Sequence, residues 1–311
     1  MAAELLCIGE PMLEFNQQPA LPDGRVLYQQ GYGGDTSNVA VSAARQGISA
    51  GYISAVGQDP AGEALLALWK EEGVDASHVK RSATHPTGVY FVTHGAQGHR
   101  FNYHRKGSAA SALTPADIPE KAIAEARILF ASGISHGISD SASDAVFHAF
   151  TVARASGVAI AYDTNYRPAL WAPRRAAAII HAAVGEADIA LPGLDDARAL
   201  TGLTDPDAVL DFYLGLGPGL VLLKMGSEGV YLGTPEGRTR IAPFPAAPVD
   251  ATGAGDTFCG AVIARLLKGE SPEDAAHYAA AAAAISTTGY GAIGPIPRAP
   301  EVWAAMAMRN R

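Results

Sequence analysis

A rhythm of short apolar runs and longer helical stretches constrains this chain more than any other feature. The runs LLCIGE (5–10), AGYISAVG (50–57), RILFASGI (127–134), VAIAYDTN (158–165), ADIALPG (187–193) and LVLLKMG (220–226) are each bounded by glycine or polar residues. Between them, residues 37–46, 60–72, 141–156 and 173–184 read as helices. A strand that is apolar on both faces has to be covered on both faces. Strands of that kind alternating with helices argue for α/β architecture, a doubly wound and mostly parallel sheet. Further along, Ser271 followed by Pro272, Glu273 and Asp274 marks a helix start, with a cap, a first-turn proline and early acids. The alanine-rich stretch 275–284 behind it reads as a buried helix.

Two segments break the rhythm. Residues 12–34 and 87–105 alternate polar and apolar positions, as hairpins do, and the second is expected to turn at residues 95–98. Inserted β structure of this kind suggests a small sheet acting as a lid on a single domain spanning residues 1–311. With 48% hydrophobic and 17% charged residues, the chain has the makings of a substantial core. Its formal net charge of −8 disfavours a general nucleic-acid binder. Cys7 and Cys259 both lie in apolar surroundings, as core residues in a reducing compartment would. The N-terminal MAAELLCIGEP lacks the pattern of a signal peptide. No apolar run approaches the roughly 20 residues that span a bilayer, so a cytoplasmic protein with no membrane partner is expected.

The stretch PVDATGAGDTFCGAV (248–262) places Gly253-Ala254-Gly255 before Asp256, then opens a helix with Phe258, Val262 and Leu266 on one face. A helix N-terminus carries unpaired N–H groups, and small residues let an anion reach them. An aspartate there repels anions unless it has a second task, such as taking a proton beside a reacting phosphate. The same aspartate also suits a plain helix entry, favoured by the dipole. The stretch GYGGDTSNVAVSAARQG (31–47) has the matching character. Its glycines, Gly34 among them, allow backbone to approach a ligand, and Asp35 and Asn38 offer oriented polar atoms.

Together these two motifs, some two hundred residues apart, resemble the paired signatures of the PfkB (ribokinase-like) sugar kinases. The α/β rhythm and the inserted hairpins extend the likeness over nearly the whole chain. Thr36 and Ala251 depart from the usual pattern, and neither removes a group that chemistry needs. GGDTSN, YHRKGSAASAL (103–113), DTNYRPALW (163–171) and VLLKMGSEG (221–229) resemble the branch that phosphorylates 2-keto-3-deoxygluconate. The resemblance implies a sugar-acid site built from Gly34, Asp35, Asn38, Tyr90, Tyr103, Arg105 and Arg167. It places Lys224, Gly226 and Gly229 along ATP with Asn165 close by, makes 253–255 the anion hole, and assigns Asp256 as the base. Mg2+ is the expected companion of the triphosphate.

The arginines bear on substrate class, because a guanidinium fork suits the carboxylate of a keto acid. Another sugar, such as fructose, ribose or a deoxy-keto-gluconate isomer, is the rival substrate, and a sensor that lost turnover is a rival of another kind. Intact Asp256 and the intact glycines speak against the sensor. No Gly-x-Gly-x-x-Gly follows the first strand, which argues against a Rossmann dehydrogenase. For the metal, PGLDDARAL puts Gly193 where the family's Asn-x-x-Glu motif has asparagine and Asp196 at its glutamate position. Asp196 then either organises Mg2+ through water or serves as a first-turn helix acid. His94, His99 and His104 lie along a hairpin without the spacing of a zinc site. A homo-oligomer formed through the lid is a further expectation.

Overall fold

The computed structural model describes residues 2–95 and 98–309. In chain order its strands are β1 (Leu5–Ile8), β2 (Met12–Gln17), β3 (Tyr28–Gly33), β4 (Ala50–Gly57), β5 (Val79–Ser82), β6 (Gly88–Gly95) and β7 (Gly98–His104). They continue with β8 (Ile128–Ser132), β9 (Ala159–Asp163), β10 (Ile189–Ala190), β11 (Leu220–Lys224), β12 (Val230–Thr234) and β13 (Gly237–Ile241). Nine form one sheet in the order β13-β12-β11-β10-β9-β8-β1-β4-β5. From β11 to β5 all neighbours are parallel, and β12 and β13 add an antiparallel edge.

Alternation along β1 explains the two-sided packing. Leu5 and Cys7 enter one apolar layer, while Leu6 and Ile8 enter the other. Each such side chain contributes about 1.5–3 kcal/mol on burial, so neither face of the strand tolerates a polar substitution. The helices that cover these faces start where the sequence signals them. Asp59 caps Pro60–Glu72 by accepting from the Gly62 N–H at 2.8 Å, and Ser271 caps Pro272–Ser286 through the Asp274 N–H at 3.1 Å.

The chain moves from β1 to β4 on one side and returns to β8 on the other, so the order reverses between β1 and β8. Ligands of doubly wound sheets bind outside the carboxyl ends of strands at such a reversal. Here those ends carry Glu10, Ser132, Asp163 and Lys224.

Residues 12–33 and 88–104 form a separate four-stranded sheet in the order β3-β2-β6-β7. Each hairpin is antiparallel, and β2 and β6 join them in parallel. Residues 96–97, at the expected second turn, and the side chains of His94 and His99 lie outside the described residues.

Several boundaries differ from the sequence reading. The expected strand 187–193 pairs as a strand only at Ile189–Ala190, with Pro192 close behind to end it. The first of the expected helices begins at Asp35 rather than 37, directly after Gly34. The β12–β13 hairpin was not anticipated. It turns at Pro235-Glu236 and seals the far edge of the sheet.

Candidate active site

Two helices build the centre of the site. Asp35–Arg45 and Ala254–Leu267 pack so closely that a Cβ on Gly260 would sit 2.5 Å from the Ser42 Cβ. Ser42 Oγ donates to the Thr257 carbonyl at 2.9 Å, and one turn earlier Asn38 Nδ2 donates to Asp256 Oδ2 at 2.8 Å. The two sequence motifs therefore meet at their polar residues.

Gly253 starts the second helix with φ 75°, a left-handed conformation that an L side chain adopts at a cost. It also abuts Ala292, whose carbonyl would lie 2.8 Å from a Cβ at this position. The loop before it is braced by Asp250, which accepts from the N–H groups of Thr252 and Gly291, each at 2.9 Å. A Cβ on Gly255 would instead point toward Lys224 Nζ, 3.7 Å away, at the mouth of an open cleft. That cleft has a volume of about 720 Å3 and is lined by Lys224, Gly226, Gly229, Ala254 and Gly255, with Phe244, Phe258 and Ala284 on its apolar walls.

Asp35 is almost fully buried in the first turn of its helix. Its Oδ2 accepts from Ser132 Oγ and, at 3.1 Å, from Asn165 Nδ2. Asp35 Oδ1 and Asn38 Oδ1 are buried without a well-formed hydrogen bond, two acceptors left unspent one helix turn apart. Asn165 has φ 28° and, among the described residues, is the only non-glycine with positive φ. Its N–H is given to Asp163 Oδ1 at 3.1 Å. Asn165 thus sits between Asp35 and Asp163, the carboxylate that holds Lys224 of the cleft, without itself lining the cleft.

Lys224 is held by Asp163 at 2.5 Å, with Cys259 Sγ also donating to Asp163 Oδ2 at 3.4 Å. Burial pulls the ammonium toward its neutral form, but the Asp163 charge more than offsets this and the Lys224 pKa moves up. Lys224 is thus a fixed cation beside Gly255.

On the small-sheet side, Arg105 follows β7 and pairs with the buried Glu10, its Nε donating at 2.6 Å. Tyr90 is buried and gives its hydroxyl to Glu14. Tyr103 is 41% exposed and lies beneath the Arg105 guanidinium, 5.7 Å from its centre. Arg167 is exposed, donates to the Tyr166 carbonyl at 3.0 Å, and forms no ion pair among the described residues. The geometry therefore separates two arginines that the sequence presents as equals.

The carboxylates crowd one another. Burial pushes the Asp35 carboxyl up, with Ser132 opposing. Asp256 is half-buried, yet the dense protein around it, followed by the charge of Asp35, raises its pKa to about 7. The Asn38 hydrogen bond opposes that rise. A carboxylate poised near neutral pH is suited to exchanging a proton with a hydroxyl. Asp196 is likewise raised to about 6, by burial and then by Asp163, and accepts from the Tyr166 N–H at 3.2 Å. Among the described residues no group of three or more His, Cys, Asp or Glu side chains gathers to hold a metal.

Glu10, Glu14, Ser132 and Asp163 were not singled out from sequence. The only cue was their position directly after or within predicted strands, where ligands of α/β sheets bind.

A doubly wound sheet, a second small sheet and a glycine-led helix start at the strand ends define a ribokinase-like kinase of small carbohydrates. The chain belongs to the pfkB family of carbohydrate kinases, whose family model matches residues 3–299. It is 35% identical over 96% of its length to the 2-dehydro-3-deoxygluconokinase of Bacillus subtilis, covering 93% of that protein. It is 34% identical over 90% to the enzyme of the same name from Thermoproteus tenax, covering 87%. Fructokinase-1 of Oryza sativa is 32% identical over 87% of the chain and 86% of that protein. Among solved structures, a candidate ribokinase II from E. coli in complex with ATP and Mg2+ superposes with a TM-score of 0.91 at 25% identity, covering 98% of this chain and 99% of that one.

Proposed function

We propose that this chain transfers the terminal phosphoryl group of ATP to the 6-hydroxyl of 2-keto-3-deoxygluconate, with Asp256 as general base. The observation that carries the chemistry is the placement of Asp256. It stands in the first turn of a helix, beside the small residues 253–255 and near Lys224, with its pKa raised to about 7. Asn38 occupies Oδ2 and leaves Oδ1 to meet the hydroxyl. In the step, the sugar oxygen bonds to phosphorus, the bond to the bridging oxygen breaks with its electrons passing to ADP, and the hydroxyl proton goes to Asp256. Backbone N–H groups at the helix start and the Lys224 ammonium face the charge that spreads over the transferred group. General-base assistance of this kind is worth about 10²–10⁴-fold in rate.

The cleft fits a nucleotide on its own chemistry, with an apolar wall at Phe244 and Phe258 for a base and open backbone at Gly226 and Gly255 toward phosphates. Mg2+ keeps most of its waters and binds through few carboxylates plus phosphate oxygens, so no protein cage is required. Asp196, crowded by the charge of Asp163, suits a water-mediated contact with that ion. When bound, Mg2+ offsets negative charge on the triphosphate.

The substrate class rests on cations at the sugar side. Arg167 has no ion-pair partner among the described residues, and Arg105 presents a second guanidinium from the small sheet. Named relatives that act on the same sugar acid support this reading. A fructokinase relative keeps a neutral ketose as the second reading. In this proposal the chain works as one kinase unit, with the four-stranded sheet as its lid. Exposed Val26, Leu27, Tyr28 and Phe101 on or beside that sheet support pairing of two copies through it. The two free buried cysteines fit a cytoplasmic setting, and no described helix is long and apolar enough to cross a membrane. The test is a reaction with ATP, Mg2+ and 2-keto-3-deoxygluconate, followed by phosphorus NMR of the product. Coupling of phosphorus to the C6 methylene protons supports the proposal, and absence of any sugar phosphate refutes it.

A further inference from the structure

Glu10 is the most completely buried acid near the site, at 0% exposure, and the phosphoryl-transfer scheme gives it no task. Its surroundings tie three pieces of the molecule together. It follows β1 of the main sheet by two residues. Its Oε2 accepts from Arg105, which follows β7 of the small sheet, and its Oε1 accepts from Ser108. Gly88, the first residue of β6, lies so near that a Cβ there would sit 3.0 Å from Oε1. The Glu10 carbonyl in turn packs against Gly34, where no side chain fits, directly before Asp35.

The orientation of the ion pair is specific. Arg105 donates its Nε to Glu10 Oε2, while its Nη2 lies against the same oxygen as an ion-pair contact and is buried without a well-formed hydrogen bond. A guanidinium has a second edge, formed by Nη1 and Nη2, and with Nη2 short of a hydrogen bond this pairing leaves that edge unspent among the described residues. With the Tyr103 ring on one side and 11% of the side chain exposed, the group has little freedom to turn.

We propose that Glu10 is a positioning residue for substrate recognition. It clamps one edge of the Arg105 guanidinium across the two sheets, so that the other edge is presented to the carboxylate of the sugar acid. The clamp also fixes the small sheet over the Gly34–Asp35 corner. This inference rests on the reading of Arg105 as a carboxylate contact.

Kinetics of Glu10→Gln, Glu10→Asp, Arg105→Ala and the double variant Glu10→Gln/Arg105→Ala test it, with ATP and either 2-keto-3-deoxygluconate or fructose. Glu10→Gln is expected to raise KM for the acid on the order of 10-fold, while kcat and the KM for ATP stay within about two-fold. Glu10→Asp keeps the charge with a shorter reach and is expected to recover part of the loss. In the Arg105→Ala background, Glu10→Gln should add no further loss, since there is nothing left to aim. A Glu10→Gln effect that persists in that background, or that lowers kcat for acid and fructose alike, overturns the proposal. Should Glu10→Gln not fold, melting temperatures decide. Arg105→Ala leaves a buried carboxylate unpaired, so the double variant should melt higher than Arg105→Ala alone, and a lower value contradicts the clamp. Failure of the parent reading is visible elsewhere, in wild-type protein that phosphorylates fructose as well as the acid.

Discussion

Asn38 Nδ2 lies 2.8 Å from Asp256 Oδ2, although 218 residues separate them. This bond joins the two glycine-led motifs and fixes which oxygen of Asp256 is free. Replacing Asp256 with Asn keeps the shape and removes the proposed base. It is expected to lower kcat by about 10²-fold or more with ATP binding retained, measured by steady-state kinetics and calorimetry. A variant that keeps a large share of wild-type kcat contradicts the assignment.

The pH profile carries a second expectation. With its pKa near 7, Asp256 is protonated in acid, so kcat/KM should rise with pH through about 7 and then level. Asn38 favours the charged form, and Asn38→Ala should therefore move that limb to higher pH. A limb that stays in place separates Asn38 from the base.

The same displacement links to stability. A carboxyl that titrates at 3.8 when unfolded and about 7 when folded stabilises the fold fully below 3.8. That contribution is lost as pH rises through about 7. Asp256→Asn should therefore melt higher than wild type at pH 8, and the gain should shrink as pH falls toward 4. Thermal unfolding across that range checks the sign, and a variant less stable at pH 8 than at pH 5, relative to wild type, contradicts it.

Gly255 points its missing Cβ at Lys224, so bulk there fills the space proposed for phosphate. Gly255→Val is expected to fold and to lose turnover by on the order of 10²-fold through misplaced phosphate. Normal turnover in a folded Gly255→Val protein moves the phosphate elsewhere.

Much of this was legible in the sequence. The hairpins at 12–34 and 87–105 announced themselves by alternation, and the buried strands by unbroken apolar runs. Asp256, Asn38 and the glycines were visible because their motif spacing encodes them locally. Glu10 and Asp163 were not, because their meaning lies in partners at positions 105 and 224 that only the fold brings near. Nor does sequence spacing distinguish Arg105, which pairs with Glu10, from Arg167, which forms no ion pair among the described residues. The β12–β13 hairpin was missed although Pro235, Glu236 and Gly237 mark its turn, since its strands are short and one is largely exposed.

The central claim, phosphorylation of a sugar acid gripped by arginine, is tested most directly by comparing kcat/KM for 2-keto-3-deoxygluconate and fructose in wild type, Arg105→Ala and Arg167→Ala. Losing a charge-assisted hydrogen bond costs about 1.5–3 kcal/mol, so each variant should lose roughly 10- to 150-fold on the acid. The weak turnover of fructose should barely change. Fructose used as well as the acid, with both arginines indifferent, contradicts the claim and points to a fructokinase.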